Sequence, residues 1–305
     1  MQISTSQIFA RSTSMMATLT KQADALQTQI ATGLKYTAPS DDAAAYQRLA
    51  GIKQATAGDK TYSGNIDLAQ SLLADSDATL GAIETQLGRA KELAVLANNG
   101  TASAADKSAI ATELNAMVAD LLALANTKDV RGQPIFGGSS GDSAYAVQAD
   151  GSIAFVGTGT PAAIPIGDGV SVLATDSGAR IFGGVKTKDG GESDMFAIIA
   201  GLAAALQSDT ASSADAASDA IDDLTGALDQ VSNARASIGA RAYRMDFEAE
   251  RLADVAISRE SARAGLEDAD PTTAIAELQK TLTVLQATQA SFTKISQLSL
   301  FDYLN

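Results

Sequence analysis

The 305-residue chain contains no cysteine, no histidine and no tryptophan, and its phenylalanine and tyrosine together amount to 5% of residues. Without cysteine there is no disulfide, no thiolate nucleophile and no thiol ligand; without histidine the usual general base and the commonest zinc ligand are gone as well. Most metal and acyl-transfer chemistry is thereby excluded, and no cofactor is expected. Carboxylates remain plentiful, so glycoside hydrolysis and oxygen-ligated calcium are decided by position rather than by composition. The shortage of aromatic anchors argues against a globule with a thick centre. Alanine and leucine must do the packing, which suits long seams between closely apposed helices and an elongated shape.

Negative charge dominates, with 36 acidic against 22 basic residues, a net charge of −14 and a sequence pI near 4.4. Phosphate backbones and anionic lipid repel such a chain, so nucleic acid is not an expected partner. The longest apolar stretch, 195–206, falls short of the ~20 residues that cross a bilayer, and no membrane insertion is expected. The opening Met1-Gln-Ile-Ser-Thr-Ser-Gln-Ile-Phe-Ala10 lacks the basic region and apolar run of a cleavable secretory signal. Absence of cysteine fits an exported protein and a reducing compartment equally.

What is present is helical periodicity. Met16, Leu19, Ala23, Leu26 and Ile30 recur at alternating steps of three and four, one face of a helix that Gly33 ends as a C-cap. After Pro39, Ser40 is placed to cap a second helix through Ala43, Tyr46, Leu49 and Ile52, with Asp41 and Asp42 as acids of its first turn. From Ile66 the heptad runs unbroken through Ala69, Leu73, Ser76, Leu80, Ile83, Leu87, Ala90, Ala94 and Ala97. Asn98-Asn99-Gly100 stops it. Ser103 and Asp106 start an antiparallel neighbour carrying Ile110, Leu114, Met117, Leu121 and Leu124.

The segment 132–194 differs, being glycine-rich with short apolar runs at 153–156 and 170–173 and a hairpin signal at Asp150-Gly151. Ile-Phe-Gly-Gly occurs at both of its edges, beginning at Ile135 and Ile181, and reads as the exit from and return to a helical body around a small β-rich insertion. Helix then resumes with Phe196, Ile199, Leu202 and Leu206, and again with Ile221, Leu224, Leu228, Val231, Arg235, Ile238, Ala242, Met245, Ala249 and Leu252. Asp270-Pro271 opens a final helix whose stripe is Ile275, Leu278, Leu282, Leu285, Gln289 and Phe292. A helix with one apolar face is marginal alone in water. The spacing therefore predicts that helix 4–32 pairs with helix 272–300 and that their outer faces meet other subunits.

Chemical motifs are thin. Gly137-Gly-Ser-Ser-Gly141 matches a nucleophile-elbow pattern, but no histidine exists to take the serine proton, so it reads as a turn. Asp41 and Asp42, and likewise Glu267, Asp268 and Asp270, read as helix-capping acids, since neither set has the glycine and distal glutamate of a calcium loop. The glycines at 157–159 and 167–169 lack the rest of any phosphate-binding fingerprint. No catalytic or metal-binding residue is assigned. Arg235 lies on an apolar seam, where it needs an acidic partner or a subunit contact, or else lays its stem along the seam with its head in water.

Both ends resemble the bacterial flagellin superfamily. The resemblance rests on Leu26-Gln-Thr-Gln-Ile-Ala-Thr-Gly-Leu-Lys35 with Pro39-Ser-Asp-Asp-Ala-Ala44, on Ala234-Arg-Ala-Ser-Ile-Gly-Ala-Arg241 with Arg244, on Leu266-Glu-Asp-Ala-Asp270, and on the final helix. It covers roughly the first 130 and last 110 residues, two separated matches in the right order. Tyr243 and Pro271 depart from the pattern of many relatives. The ending Gln297-Leu-Ser-Leu-Phe-Asp-Tyr-Leu304 is similar to the branch at the hook–filament junction rather than to filament flagellins, and the short insertion agrees.

The resemblance implies a mainly α fold: an inner coiled coil from 1–38 and 271–305, a helical middle from 39–131 and 195–270, and an outer β-rich insertion, 132–194. It implies a structural, non-enzymatic subunit in the junction ring, located in the flagellum and exported by the flagellar type III pathway. Its expected partners are copies of itself, a neighbouring hook-associated protein, flagellin, and an export chaperone on the C-terminal helix. The expected assembly face comprises Met16, Leu19, Leu26, Ile30, Leu278, Leu282, Leu285, Phe292, Leu298, Leu300 and Phe301, with Asp41, Asp42, Arg235, Arg241 and Arg244 as candidate subunit-contact charges. The alternatives are a filament flagellin, an intracellular coiled-coil scaffold, and a secreted carbohydrate-active enzyme using paired carboxylates.

Overall fold

A computed structural model of the chain describes residues 2–139, 141–208 and 213–301, and among these the side chains between 7 and 296. The described elements are helices α1 (Gln2–Thr32), α2 (Ala43–Ala97), α3 (Ala104–Ala125), α4 (Gly178–Phe182), α5 (Met195–Gln207), α6 (Ser213–Glu267) and α7 (Pro271–Phe301). Between α3 and α5 lie strands β1 (Tyr145–Val147), β2 (Ile153–Phe155), β3 (Ile164–Gly167), β4 (Val170–Val172), β5 (Val185–Lys186) and β6 (Glu192–Ser193). The chain divides into two compact units, one from 1–58 with 254–305 and the other from 59–253. These limits differ from those read from the sequence, 38/39 and 270/271, because α2 and α6 each supply residues to both units.

In the unit 59–253 every position of the predicted α2 heptad, from Ile66 to Ala97, is buried, Ser76 included. The serine is tolerated there because its hydroxyl donates to the Leu72 carbonyl at 2.7 Å. The seam shares one core with Leu114, Met117 and Leu121 of α3, Phe196, Ile199, Leu202 and Leu206 of α5, and Leu224, Val231, Ile238 and Met245 of α6. α3 opens with the expected capping box: the Ser103 hydroxyl accepts from the Asp106 amide while the Asp106 carboxylate accepts from the Ser103 amide. By length and composition α3 is apolar enough to cross a bilayer, which its alanine-rich sequence conceals; here its leucines face the core.

Two helix readings need correction. The residues between Ile52 and Ile66 are not a gap: α2 is one 55-residue helix from Ala43 to Ala97, since no proline interrupts it. Nor does Ser40 cap it. The Asp42 carboxylate takes that place, accepting from the Ala44 and Ala45 amides at 3.0 and 2.9 Å, while Asp41 accepts from the Thr37 and Ala38 amides and shapes the preceding turn. An aspartate directly before the first helical residue reaches those amides, whereas Ser40 stands two residues further back.

The β-rich segment forms three separate antiparallel hairpins, β1–β2, β3–β4 and β5–β6. Each is turned by Asp-Gly, at Asp150-Gly151, Asp168-Gly169 and Asp189-Gly190, with the glycine at positive φ. The hairpins are fixed to the helices beneath them. Asn126, at the end of α3, accepts the Ala144 and Tyr145 amides and donates to the Tyr145 carbonyl. The Gln230 amide of α6 donates to the carbonyls of Arg180 and Gly183, and the Lys188 ammonium pairs with Asp219. The two Ile-Phe-Gly-Gly runs meet each other: all four of their large side chains are buried, and Phe136 and Phe182 pack edge to face with centroids 5.1 Å apart. Tyr145 joins them against Phe155, Phe182 and Phe196, so scarce aromatics are gathered where short strands alone supply little core. Gly138 is required in this arrangement, because at φ 72° a Cβ would lie 2.6 Å from the Thr158 carbonyl oxygen.

Phe182→Ala is expected to lower the unfolding free energy by about 3–4 kcal/mol, the cost of emptying a fully enclosed aromatic site. Urea titration followed by circular dichroism measures it; a loss below about 1 kcal/mol means that the aromatic cluster is not what holds the hairpins down.

Candidate assembly surface of the terminal helices

Within the unit formed by 1–58 and 254–305, α1 and α7 run antiparallel. Leu34 bridges Asp268 at one end of the pair, and at the other the rings of Phe9 and Phe292 meet edge to face at 5.2 Å. The covered positions follow heptad steps: Phe9, Met16, Leu19, Ala23, Leu26 and Ile30 on α1, and Ala274, Leu278, Thr281, Leu285, Thr288 and Phe292 on α7, all buried or half-buried.

The base of this pair is fastened by backbone and charge. α1 stops at Gly33, whose φ of 72° and amide bond to the Gln29 carbonyl make it the predicted C-cap. The Gly33 carbonyl then accepts from the Ala269 amide at 2.8 Å, and the Lys35 amide donates to the Glu267 carbonyl at 2.7 Å. Asp270 caps α7 through the Thr272 amide and the Thr273 hydroxyl, as expected. Glu267 does something other than capping. Its side chain, 7% exposed, accepts from the Lys53 ammonium at 2.9 Å and from the Arg263 guanidinium at 2.7 Å. These bonds, Lys53 first and Arg263 second, hold its carboxyl below the usual range.

Of the residues expected to face other subunits, Met16, Leu19, Leu26, Ile30, Leu278, Leu285 and Phe292 sit at seam positions of this intramolecular pair. Leu282 points outward and is 37% exposed. Leu298, Leu300 and Phe301 lie outside the residues whose side chains are described. Apolar side chains also lie beside the seam: Ile8 and Met15 on α1, which periodicity did not single out, and Ile275 on α7, which the spacing places in one stripe with Leu278 and Leu285, are exposed, as are Val284 and Ile295 on the opposite flank of α7. Ile8, Met15, Ile275 and Leu282 each sit one residue beside a seam position and repeat at seven, a spacing that sets them apart from the seam itself.

The candidate charges are mostly committed within the chain. Asp41 and Asp42 serve the turn and helix cap already described. In the other unit, Arg235 bonds Asp77 and Glu84 of α2, Nε to Asp77 Oδ1 at 2.9 Å and one terminal nitrogen to Glu84 Oε2 at 2.6 Å, which raises its pKa. The arginine on the seam thus has its acidic partners in its own chain. Arg241 pairs with Asp176, which Arg180 also holds, and donates to the Leu173 carbonyl at 2.7 Å. Arg244 is exposed and makes no ion pair among the described residues.

The fold and this surface define a helical subunit whose two chain ends are wound into one pair with apolar side chains left exposed beside the seam. The chain belongs to the bacterial flagellin family: residues 3–141 match its N-terminal helical region and residues 221–304 its C-terminal helical region. Over 90% of both chains it is 28% identical to flagellar hook-associated protein 3 of Escherichia coli, and over 99% of both it is 26% identical to the protein of that name from Salmonella typhimurium. A flagellin of Listeria innocua is 23% identical over 89% of this chain and 86% of its own length. In fold, the chain is similar to a putative flagellar hook-associated protein of Vibrio parahaemolyticus, with a TM-score of 0.68 and 17% identity over 75% of this chain and all of that one. It is likewise similar to flagellar hook associated protein-3 of Legionella pneumophila, with a TM-score of 0.67 and 16% identity over 70% of this chain and 98% of that one.

Glu267→Gln removes the charge that two cations share and is expected to destabilise the chain by about 1 kcal/mol at neutral pH, discounted because Lys53 is largely exposed. Because the folded pKa lies below the ordinary 4.5, the wild-type advantage is present above that value and is lost as pH falls through the folded pKa. Thermal midpoints of both proteins across an acid series test this; a difference that persists undiminished at the lowest pH contradicts the ion-pair explanation.

Proposed function

We propose that this chain is a structural, non-catalytic subunit of the bacterial flagellum that assembles at the hook–filament junction through the outer face of its terminal helix pair. The observation that carries the reading is the set of apolar residues beside the seam, Ile8 and Met15 on α1 and Ile275 and Leu282 on α7, which the chain's own α1–α7 pairing leaves exposed. The end-to-end likeness to two proteins called flagellar hook-associated protein 3 supports the junction as its place. Burying one such leucine or isoleucine against a neighbour is worth about 2 kcal/mol, so a handful per subunit offsets the cost of association.

Several of the clustered carboxylates are engaged in structural bonds. Asp41, Asp42 and Asp270 bond turn or helix-start amides, Asp77 and Glu84 hold Arg235, and Glu267 is shared by Lys53 and Arg263. This favours the non-enzymatic reading. The partners on the outer face are then copies of the chain, an adjoining hook-associated protein and flagellin. Before assembly the same face of α7 needs cover, which suits an export chaperone that holds the C-terminal helix while the chain leaves by the flagellar export route without a cleaved signal. The second reading, a filament flagellin, is favoured by the likeness to Listeria flagellin over most of both chains.

Leu282→Asp is expected to abolish motility in a strain carrying no other copy, while changing the stability of the isolated protein by no more than about 0.5 kcal/mol, as for an exposed position. Normal swimming with this variant refutes the proposed surface. Immunogold labelling of isolated flagella separates the two readings: signal confined to the junction supports the first, and labelling along the whole filament supports the second.

A further inference from the structure

The exposed turn between α2 and α3 carries the sequence Asn98-Asn99-Gly100-Thr101, and Asn99 is the one asparagine of the seven in this chain that precedes a glycine. Loss of ammonia from an asparagine needs the following backbone nitrogen to attack the side-chain carbonyl carbon. That step requires an uncommitted N–H, an unhindered approach and an activated carbonyl.

The turn supplies all three. The Gly100 amide makes no hydrogen bond among the described residues, and a Cβ added at Gly100 would meet nothing within 4 Å. The Asn99 side-chain oxygen accepts from the Thr101 amide at 3.3 Å and from the Thr101 hydroxyl at 3.0 Å. Two donors on one carbonyl oxygen draw charge from its carbon and stabilise the oxyanion that forms there on attack.

The neighbouring sites each lack one requirement. After Asn98 the nitrogen belongs to Asn99 and donates to the Leu96 carbonyl at 3.3 Å; after Asn126 it belongs to Thr127 and donates to Leu124 at 3.0 Å. Asn65, Asn115 and Asn233 lie inside helices, where the following amide is part of the helical hydrogen-bond ladder. At two of the three Asp-Gly hairpin turns the glycine amide is likewise held, Gly151 by Gln148 and Gly190 by Thr187, and an ionised carboxylate is in any case a poor electrophile.

We propose that Asn99 is a site of spontaneous covalent modification, deamidating through a cyclic imide with Gly100. The Gly100 nitrogen loses its proton to solvent and bonds to the Asn99 side-chain carbon, and the side-chain nitrogen departs with a proton as ammonia. Water then opens the five-membered imide at either carbonyl, leaving aspartate or isoaspartate. Each converted chain gains one negative charge beside the C-terminal end of α2, where the helix dipole disfavours it, and the isoaspartyl form places an extra methylene in the main chain of the turn.

The test keeps the full-length folded protein in mildly alkaline buffer at physiological temperature and follows the tryptic peptide 92–107 by mass spectrometry, with isoaspartyl methyltransferase labelling to count the isomer. Conversion at Asn99 is expected to exceed that at Asn98 by roughly an order of magnitude, with isoaspartate as the larger product. Gly100→Ala fits the turn without a clash and is expected to slow conversion several-fold while leaving the helical circular dichroism unchanged. Equal rates at the two asparagines, or undiminished conversion in folded Gly100→Ala, overturn the proposal.

Discussion

An apolar stripe on a helix is stable only when something covers it, and this requirement organises both units of the chain. In the unit made from the two ends, α1 and α7 cover each other along heptad positions although most of the polypeptide lies between them. Closing so long a loop has an entropic cost that no single contact repays. The seam does so together with its fastenings: the Gly33–Ala269 and Lys35–Glu267 backbone bonds and the Lys53–Glu267–Arg263 charges sit where α1 ends and α7 begins, so the register of the pair is set at its base.

Small side chains make long seams but distinguish one register poorly, since one alanine step looks much like the next. Polar groups placed across the seams supply the distinction. Arg235 reaches Asp77 and Glu84, which lie seven residues and two turns apart on α2, and Asp176 gathers Arg180 and Arg241 beneath the hairpins. Every such group has a partner, so little is lost to desolvation while sliding by one turn would strand several charges at once.

Much of this was legible beforehand. The α2 heptad from Ile66 to Ala97, the Gly33 stop, the Ser103 capping box, the Asp270 start of α7 and the first Asp-Gly hairpin each depend on neighbours within a few residues, and all appear where periodicity and cap chemistry put them. Local rules also erred locally. Clustered acids near a helix start look alike on paper, and whether one caps, shapes a turn or accepts from a distant lysine is a matter of a residue or two of offset, as Asp41 and Asp42 show in one cluster and Glu267 and Asp270 in the other.

By itself the sequence determined most of the long helical segments, their stops at Gly33 and Asn98-Asn99-Gly100, that no thiol or imidazole chemistry exists here, and that both ends carry apolar faces, because those properties follow from residue type and spacing along one strand of chain. The tertiary structure decided which face each helix turns inward. Met16, Leu19 and Leu285 went to the internal seam while Met15 and Leu282, their neighbours in the same heptads, were left outside. It also decided that the two Ile-Phe-Gly-Gly runs stack on each other and that Arg235 is matched within its own chain. Such choices depend on partners remote in sequence, and periodicity records that a stripe exists without recording what will cover it.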